Sequence, residues 1–286
     1  MGTALINGVR INYRQTGAGP DLVFIHGLGA NQAFWNLGLI TSLSRDYRVT
    51  TFDLPGHGYS ETPKTGYRPA DAAESLRALL DQLGVERAHA VGHSYGGLVA
   101  LRLALTAPAR VLTITIADTR VRSLQPGQAL IEIADWPALR AMLARQGVTI
   151  DENEPEVGFM IFEALASPKW ESARERIAEQ SRYVPFGAAG TRSAQRWLKL
   201  LAATSIKQDY RAGADIPRDQ LGRIKHPVLA IYGQNSPNHR TGEEMASCLQ
   251  SCRLVTVPEA SHFHPATHPE FFRETLLEVL SGKAVV

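Results

Sequence analysis

The sequence contains 286 residues, of which 44% are hydrophobic and 20% are charged, a composition typical of a globular protein. Its 30 basic and 28 acidic residues are spread along the chain with a net charge of +2, which argues against nucleic-acid or membrane surfaces as partners. No stretch of about 18 apolar residues predicts a membrane span, and the first residues lack a signal-peptide pattern, so we expect a cytoplasmic protein. No feature of the sequence sets an oligomeric state.

The first part of the chain alternates between predicted strands and helices. Apolar residues alternate on both sides of Asn7-Gly8, a dipeptide that favours a tight turn, and they predict an N-terminal β-hairpin. Buried strands are predicted at 21–27, 47–56, 87–94 and 110–118, and helices at 33–45, 69–84 and 95–108. The helix at 69–84 opens with proline and ends at glycine, as helices commonly do.

The pattern changes after Arg120. Residues 120–222 have apolar residues at helical spacing and no strong strand signal, whereas a strand at 226–233 restores the alternation. Alternating strands and helices predict an α/β fold, with a mostly parallel sheet covered by helices on both faces. The chain is therefore divided into a core domain, residues 1–119 and 223–286, and a helical insertion between two strands, residues 120–222.

The pentapeptide Gly92-His93-Ser94-Tyr95-Gly96 matches the pattern G-x-S-x-G. It lies between a predicted strand and a predicted helix, which is the context that a nucleophile elbow requires. In such a turn the serine is strained with its hydroxyl exposed, and the glycines let strand and helix approach closely. Ser94 is the candidate nucleophile, and the alternative is an ordinary turn with a chance serine.

A second turn, His26-Gly27-Leu28-Gly29, follows the first long buried strand. It can aim the Leu28 amide at a developing oxyanion, and the Tyr95 amide, just after the candidate nucleophile, would be the second donor. The alternative is an ordinary strand exit.

A serine hydroxyl needs a base, and nine histidines compete for that role. His262 follows the last predicted strand at its carboxyl end. This is the sheet edge where Ser94 also emerges and where α/β sites form. His264 is its nearest competitor, because the other histidines lie within strands, in the elbow, in loops or at the opposite end of the sheet.

The order of these motifs resembles the α/β-hydrolase fold superfamily. The segments "HGLGANQAFW", "DLPGHGYS", "GHSYGG", "PVLAIYG" and "SHFHPATHPEFF" follow the family order and cover nearly the whole chain. The resemblance implies the α/β-hydrolase fold, with Ser94 as nucleophile, His262 as base, Leu28 and Tyr95 as oxyanion donors, and residues 120–222 as a helical cap. Haloalkane dehalogenases and epoxide hydrolases attack through a carboxylate, so a serine at position 94 disfavours their reactions.

The catalytic acid departs from the common pattern of that family. Most members place it after the strand equivalent to "PVLAIYG", where this sequence has no acidic residue between Gln234 and Asn238. Asp118 ends the neighbouring strand at the same sheet edge, a placement that resembles resorcylic-lactone hydrolases and haloalkane dehalogenases. We predict Asp118 as the triad acid, Asp53 as the next candidate and Ser236 as a bystander. Alternatively, Asp118 caps the start of the insertion or pairs with a nearby arginine.

Together these residues predict a serine hydrolase that cleaves an ester, lactone or thioester of a largely apolar small molecule through an acyl-enzyme. Candidate lining residues in the cap are aromatic or long and apolar: Trp136, Met142, Phe159, Phe162, Tyr183, Phe186 and Trp197. No metal, cofactor, nucleic acid or membrane is expected to take part. Two alternatives stay open: a C–C hydrolase, lyase or cofactor-free oxygenase of the same fold that uses the His and Asp pair, and a non-catalytic small-molecule receptor.

Overall fold

A central β-sheet organises the computed structural model, which describes residues 1–35, 37–126, 136–145, 190–213 and 215–282 and the single residues 147, 149, 163 and 166. The strands are β1 (Gly2–Ile6), β2 (Val9–Thr16), β3 (Asp21–Ile25), β4 (Arg48–Phe52), β5 (Ala88–His93), β6 (Val111–Ala117), β7 (Val228–Gly233) and β8 (Cys252–Val257). In the described residues these eight strands form one sheet in the order β1-β2-β4-β3-β5-β6-β7-β8. Within it, β2 is antiparallel to β1 and β4, and the other pairs are parallel.

Helices connect these strands. They are α1 (Leu37–Leu43), α2 (Pro69–Gln82), α3 (Tyr95–Thr106), α4 (Trp136–Arg145), α5 (Gly190–Ala203), α6 (Ile206–Gly213), α7 (Arg218–Leu221), α8 (His239–Cys248), α9 (His264–Thr267) and α10 (Pro269–Leu280), with short 3-10 helices at Gln32–Phe34 and Pro108–Arg110. None of the helices in the described part of the chain has the length and apolar character needed to cross a membrane.

The central strands are buried on both faces, as the side chains of β3 show. Val23 and Ile25 belong to a hydrophobic cluster with residues of α2 and α3. Leu22 and Phe24 belong to a second cluster, on the opposite face, with residues of α1 and α10. A parallel strand covered on both sides is apolar throughout, which explains the continuous run at 21–25. The predicted α/β fold with helices on both faces is confirmed.

Local details agree with the predicted elements except at one helix. The N-terminal hairpin turns at Asn7 and Gly8, both with positive φ, as a tight two-residue turn requires. The helix predicted over 33–45 is instead split into the 3-10 helix at Gln32–Phe34 and α1. The break lies at Trp35, which is extended and buried and packs with its ring centroid 4.8 Å from that of Phe24. A regular helix would not place this indole in the core.

The elements described between β6 and β7 are the helices α4 to α7, and the described part of residues 120–222 contains no strand. Helices α5 and α6 pack on the sheet-bearing part of the chain through a small apolar cluster that includes Tyr67, Trp197 and Ile206. Asp209 adds polar contacts, because its Oδ2 accepts hydrogen bonds from the amides of Gly66 and Tyr67 at 3.1 and 3.0 Å. These contacts fix α5 and α6 beside the loop that precedes α2.

The turn from β5 into α3 requires very close backbone contact. A Cβ atom added to Gly96 would overlap the carbonyl oxygen of Ile25, and one added to Gly92 would overlap that of Gly96. Backbone atoms cannot be displaced as a flexible side chain can, so these two glycines bring β3, β5 and α3 together.

We expect Gly96→Ala to lower the free energy of unfolding by about 2 kcal/mol or more, because the new methyl group meets backbone. Gly222→Ala is the matched control, since its φ is −60° and the nearest atom to its added Cβ is 3.6 Å away. This control should leave stability unchanged or raise it by about 0.4–1 kcal/mol. Urea unfolding followed by tryptophan fluorescence measures both, and equal midpoints for the two variants would contradict the prediction.

Candidate active site

Ser94 occupies the turn between β5 and α3 in a rare backbone conformation, with φ +53° and ψ −120°. Such a conformation costs about 1–3 kcal/mol for a non-glycine residue and persists only when its surroundings hold it. Here the Ser94 amide donates to Ala117 O at 3.0 Å. Its carbonyl oxygen accepts from Gly97 N at 3.0 Å and from Thr119 Oγ1 at 2.8 Å. The turn therefore has the strained geometry that a nucleophile elbow requires.

Asp118 stands in a similar position at the end of the neighbouring strand. Its φ is also +53°, and its amide donates to Ile231 O at 2.9 Å. The side chain has no exposed surface. Its Oδ2 accepts from the Gly233 amide at 3.0 Å, and its Oδ1 accepts from His262 Nδ1 at 2.8 Å. The structure thus brings Asp118 and His262, the predicted acid and base, into direct contact.

His262 follows β8 at the same edge of the sheet, and its side chain is 12% exposed. Its carbonyl oxygen accepts from Nε2 of His93, the residue before Ser94, and the two imidazole centroids are 4.7 Å apart. An Nδ1–H that donates to Asp118 leaves Nε2 as the nitrogen that can take up a proton, a tautomer inferred from the hydrogen bonds. His262 therefore lies beside the elbow in the tautomer that a general base needs.

The carboxyl group of Asp118 stays ionised although it is buried. Burial is the largest influence and would raise the pKa of this carboxyl group. The hydrogen bond from His262, the positive charge that this ring can carry, and the hydrogen bond from Ser236 together outweigh burial and hold the pKa well below its ordinary value. Asp118 is therefore ionised at any pH where an imidazole can act as a base.

Ser236, predicted to be a bystander, contacts the predicted acid. Ser236 Oγ donates to Asp118 Oδ1, the same oxygen that His262 contacts. Asn238 Nδ2 donates to this oxygen as well, at 3.0 Å, and lies 3.2 Å from His262 Nδ1. The loop after β7 contains no acid, and its side chains donate hydrogen bonds to the carboxylate that follows the neighbouring strand.

Asp53 and His264 are the alternative candidates for the acid and the base, and both form hydrogen bonds outside the Asp118–His262 pair. Asp53 is buried and accepts hydrogen bonds from Asn12 Nδ2 at 2.8 Å, from the Gln32 amide at 2.8 Å and from the Tyr59 amide at 2.9 Å. It thus organises the loops around β4. His264 is fully buried and donates from Nε2 to a backbone oxygen of β7, and burial lowers its pKa to about 4.

The predicted oxyanion donors lie on two segments that meet at Ser94. Tyr95 is the first residue of α3, so its amide is one of the N–H groups that have no acceptor within the helix, at the positive end of the helix dipole. Leu28 lies in a turn closed by the hydrogen bond from Ala30 N to Gly27 O at 3.3 Å. A Cβ atom added to Gly27 would lie 3.0 Å from Ser94 Cβ, so this turn is in contact with the elbow.

A cavity of about 290 Å³ lies between residues 29–31, the loop at residues 56–62 and α5. Among the residues that line it are Gly29, Ala30, Asn31, His57, Trp197 and Leu200. Of the predicted lining residues, Trp197 therefore faces a cavity. Trp136 and Met142 lie on α4, with side chains outside the described structure, and Phe159, Phe162, Tyr183 and Phe186 also lie outside the described residues.

The contribution of the loop around His57 to this cavity was not recognised in the sequence, because "DLPGHGYS" suggests only a structural turn. Burial, together with the nearby His26, lowers the pKa of His57 to about 3, so His57 adds no charge to this cavity, which Arg196 and Lys199 of α5 also line. Among the described residues, no group of three or more His, Cys, Asp or Glu side chains could hold a metal ion.

Comparison with known proteins identifies the class of this molecule. A family model described as alpha/beta hydrolase fold matches residues 20–269, and the chain therefore belongs to this family. It is 32% identical over 275 residues to the pimeloyl-[acyl-carrier protein] methyl ester esterase of Aeromonas hydrophila, with 93% of this chain and 97% of the relative covered.

Two solved structures share the fold. The enol-lactonase from Burkholderia xenovorans has a TM-score of 0.67 at 24% identity, with 98% of this chain and 100% of that chain covered. An esterase from Rhodococcus sp. has a TM-score of 0.70 at 22% identity, with 99% of this chain and 98% of that chain covered. The predicted family and fold are thus confirmed.

If Asp118 is the acid, we expect Asp118→Asn to lower kcat about 10²- to 10⁴-fold without unfolding the protein, because asparagine supplies no charge to a protonated base. Initial rates on p-nitrophenyl acetate, with circular dichroism to check folding, measure this effect. Adding Ser236→Asp to that variant should restore part of the activity, since position 236 contacts the same carboxylate.

Asp53→Asn is the matched control for Asp118→Asn, because it neutralises another buried carboxylate, one that organises the loops around β4. It should lower the melting temperature and leave kcat near the wild-type value. The assignment of Asp118 fails if its folded asparagine variant retains full kcat, or if Asp53→Asn is the variant that lowers kcat.

Proposed function

We propose that this chain is a serine hydrolase that cleaves carboxylic esters through an acyl-enzyme, with Ser94, His262 and Asp118 as its triad. The observation that most supports this is the 2.8 Å hydrogen bond between His262 Nδ1 and Asp118 Oδ1 at the sheet edge where the strained Ser94 turn lies. A buried acid, a base and a serine in an elbow are together the groups that acyl transfer to a serine needs.

In the first half of the proposed reaction, His262 Nε2 takes the proton from the Ser94 hydroxyl as its oxygen attacks the ester carbonyl carbon. Asp118 holds the Nδ1–H of the ring and balances the positive charge that forms on it. The amides of Leu28 and Tyr95 donate to the oxyanion of the tetrahedral intermediate. His262 then gives its proton to the departing alcohol oxygen, and the acyl group stays on Ser94.

In the second half, a water molecule takes the place of the alcohol. His262 removes a proton from this water as it attacks the acyl carbon, and the same amides stabilise the second tetrahedral intermediate. Collapse of that intermediate returns the proton to Ser94 and releases the carboxylic acid. Both halves begin with a neutral His262, because only a neutral imidazole can accept a proton.

For the substrate class we propose an ester of a small alcohol with a largely apolar acyl group. The Aeromonas hydrophila relative, 97% of whose length this chain covers, is named a methyl ester esterase, which supports this class. Residues 120–222 would form a cap over the site. In support, Trp197 and Leu200 of α5 line the cavity whose other wall includes Gly29, the residue after Leu28.

If Ser94 is the nucleophile, a fluorophosphonate probe should attach to it, because the activated oxygen attacks phosphorus as it attacks an acyl carbon. Peptide mass spectrometry of the labelled protein identifies the residue. Ser94→Ala should abolish both labelling and turnover of p-nitrophenyl acetate. Label on a different residue, or normal turnover by Ser94→Ala, would overturn the proposed function.

If the cavity receives the acyl group, Trp197→Phe should shift the preferred chain length in a series of methyl and p-nitrophenyl esters, because it enlarges the cavity. Turnover of the acetate should change little, since an acetyl group is too short to fill the cavity. Leu201→Ala is the matched control: this residue lies on the same helix and in the same apolar cluster, but does not line the cavity. Equal chain-length profiles for both variants and the wild type would argue against this cavity as the acyl site.

A further inference from the structure

We propose that Ser236 and Asn238 are positioning residues for the catalytic acid. In this proposal the loop that follows β7, residues 234–238, holds the carboxylate of the neighbouring strand instead of supplying one of its own. The inference rests on the proposed function, because it assumes that Asp118 and His262 act as the acid–base pair.

The contacts converge on one carboxylate oxygen. Asp118 Oδ1 accepts from Ser236 Oγ, from Asn238 Nδ2 at 3.0 Å and from His262 Nδ1 at 2.8 Å. Asn238 Nδ2 also lies 3.3 Å from the Asp118 carbonyl oxygen, so it contacts both the backbone and the side chain of the acid. Because Asn238 and His262 direct N–H groups to the same oxygen, the amide fixes where this oxygen stands relative to the ring.

Hydrogen bonds also fix the loop that carries these donors. Ser236 Oγ accepts from the Asn238 amide at 3.1 Å while it donates to the acid. Gln125, a buried residue from the segment after β6, donates from Nε2 to Pro237 O at 2.8 Å and accepts from Thr241 Oγ1 at 2.8 Å. Ser236 and Asn238 are both more than nine-tenths buried. The donors are thus preorganised around Asp118.

Donors of this kind change how strongly the acid favours a protonated base. Each hydrogen bond to the carboxylate spreads its negative charge, which weakens its attraction for a positive imidazole ring. Ser236 and Asn238 therefore weaken the preference of Asp118 for a protonated over a neutral base. Without either donor that preference should grow, and activity should be lost sooner as the pH is lowered.

The other titratable groups around Asp118 and His262 should not be mistaken for the base in a pH profile of activity. His93, from the end of β5, and His264, from α9, both have pKa values lowered chiefly by burial, the latter to about 4. Tyr232, from β7, faces the acid and has its pKa raised well above its ordinary value by burial. His268, the residue before α10, interacts electrostatically with His264.

The test is the pH dependence of kcat/KM for p-nitrophenyl acetate in the full-length protein. Its acidic limb reports protonation of the base in the free enzyme. In Ser236→Ala and in Asn238→Ala the limb should move to higher pH by about 0.5–1 unit, because only part of a hydrogen bond to a charged group, worth about 1–2 units in full, distinguishes a protonated from a neutral base. Ser236→Thr, which keeps the hydroxyl, should restore the wild-type profile.

Thr241→Val is the structural control, because it removes the hydroxyl that supports Gln125 and leaves the donors to Asp118 in place. It should lower stability through the loss of this hydrogen bond without moving the acidic limb. A limb that stays in place in both alanine variants, or moves equally in Thr241→Val, would overturn the proposal. Fluorophosphonate labelling of wild-type Ser94 separates the two failures: without label the proposed function fails, whereas label with an unmoved limb refutes only the positioning role.

Discussion

The site depends on one buried negative charge. Asp118 has no exposed surface, and a carboxylate in such surroundings takes up a proton unless donors surround it. Those donors come from the end of β7, from the loop behind it and from His262 after β8. Parallel strands end at one edge of the sheet, so groups distant in sequence can meet there. A shift of any of these elements would remove at least one donor from the buried charge, which costs about 1–3 kcal/mol.

The sheet also holds the two strained residues of the site. Ser94 and Asp118 follow adjacent strands and share a φ of +53°. The Ser94 amide bonds to the last residue of β6, and the Asp118 amide bonds to β7. Each strained residue is thus fixed by the strand next to it, and strand register sets the positions of the proposed nucleophile and acid. This is how a rigid scaffold can maintain conformations that cost about 1–3 kcal/mol each.

Much of this could be predicted from the sequence, because the strands, the elbow and the edge of the sheet follow from periodicity and motif order. The contact between Asp118 and His262 follows from the same edge argument. The contact of Ser236 with Asp118 could not be predicted: strand order brings two loops together, but only side-chain conformation decides which polar groups touch. The split of the helix predicted over 33–45 has a similar cause, since the burial of Trp35 depends on tertiary packing that local propensity does not report.

The absence of an acid after β7 is best understood as a consequence of the acid after β6. Neighbouring strands lie about 4.8 Å apart, so a carboxylate at the end of either one can reach the same imidazole nitrogen. Two carboxylates there would repel each other, and one would take up a proton and cease to balance the base. Once Asp118 carries the charge, the facing loop needs small uncharged donors, which Ser236 and Asn238 provide. A loop without an acid is therefore what the proposed assignment of Asp118 leads us to expect.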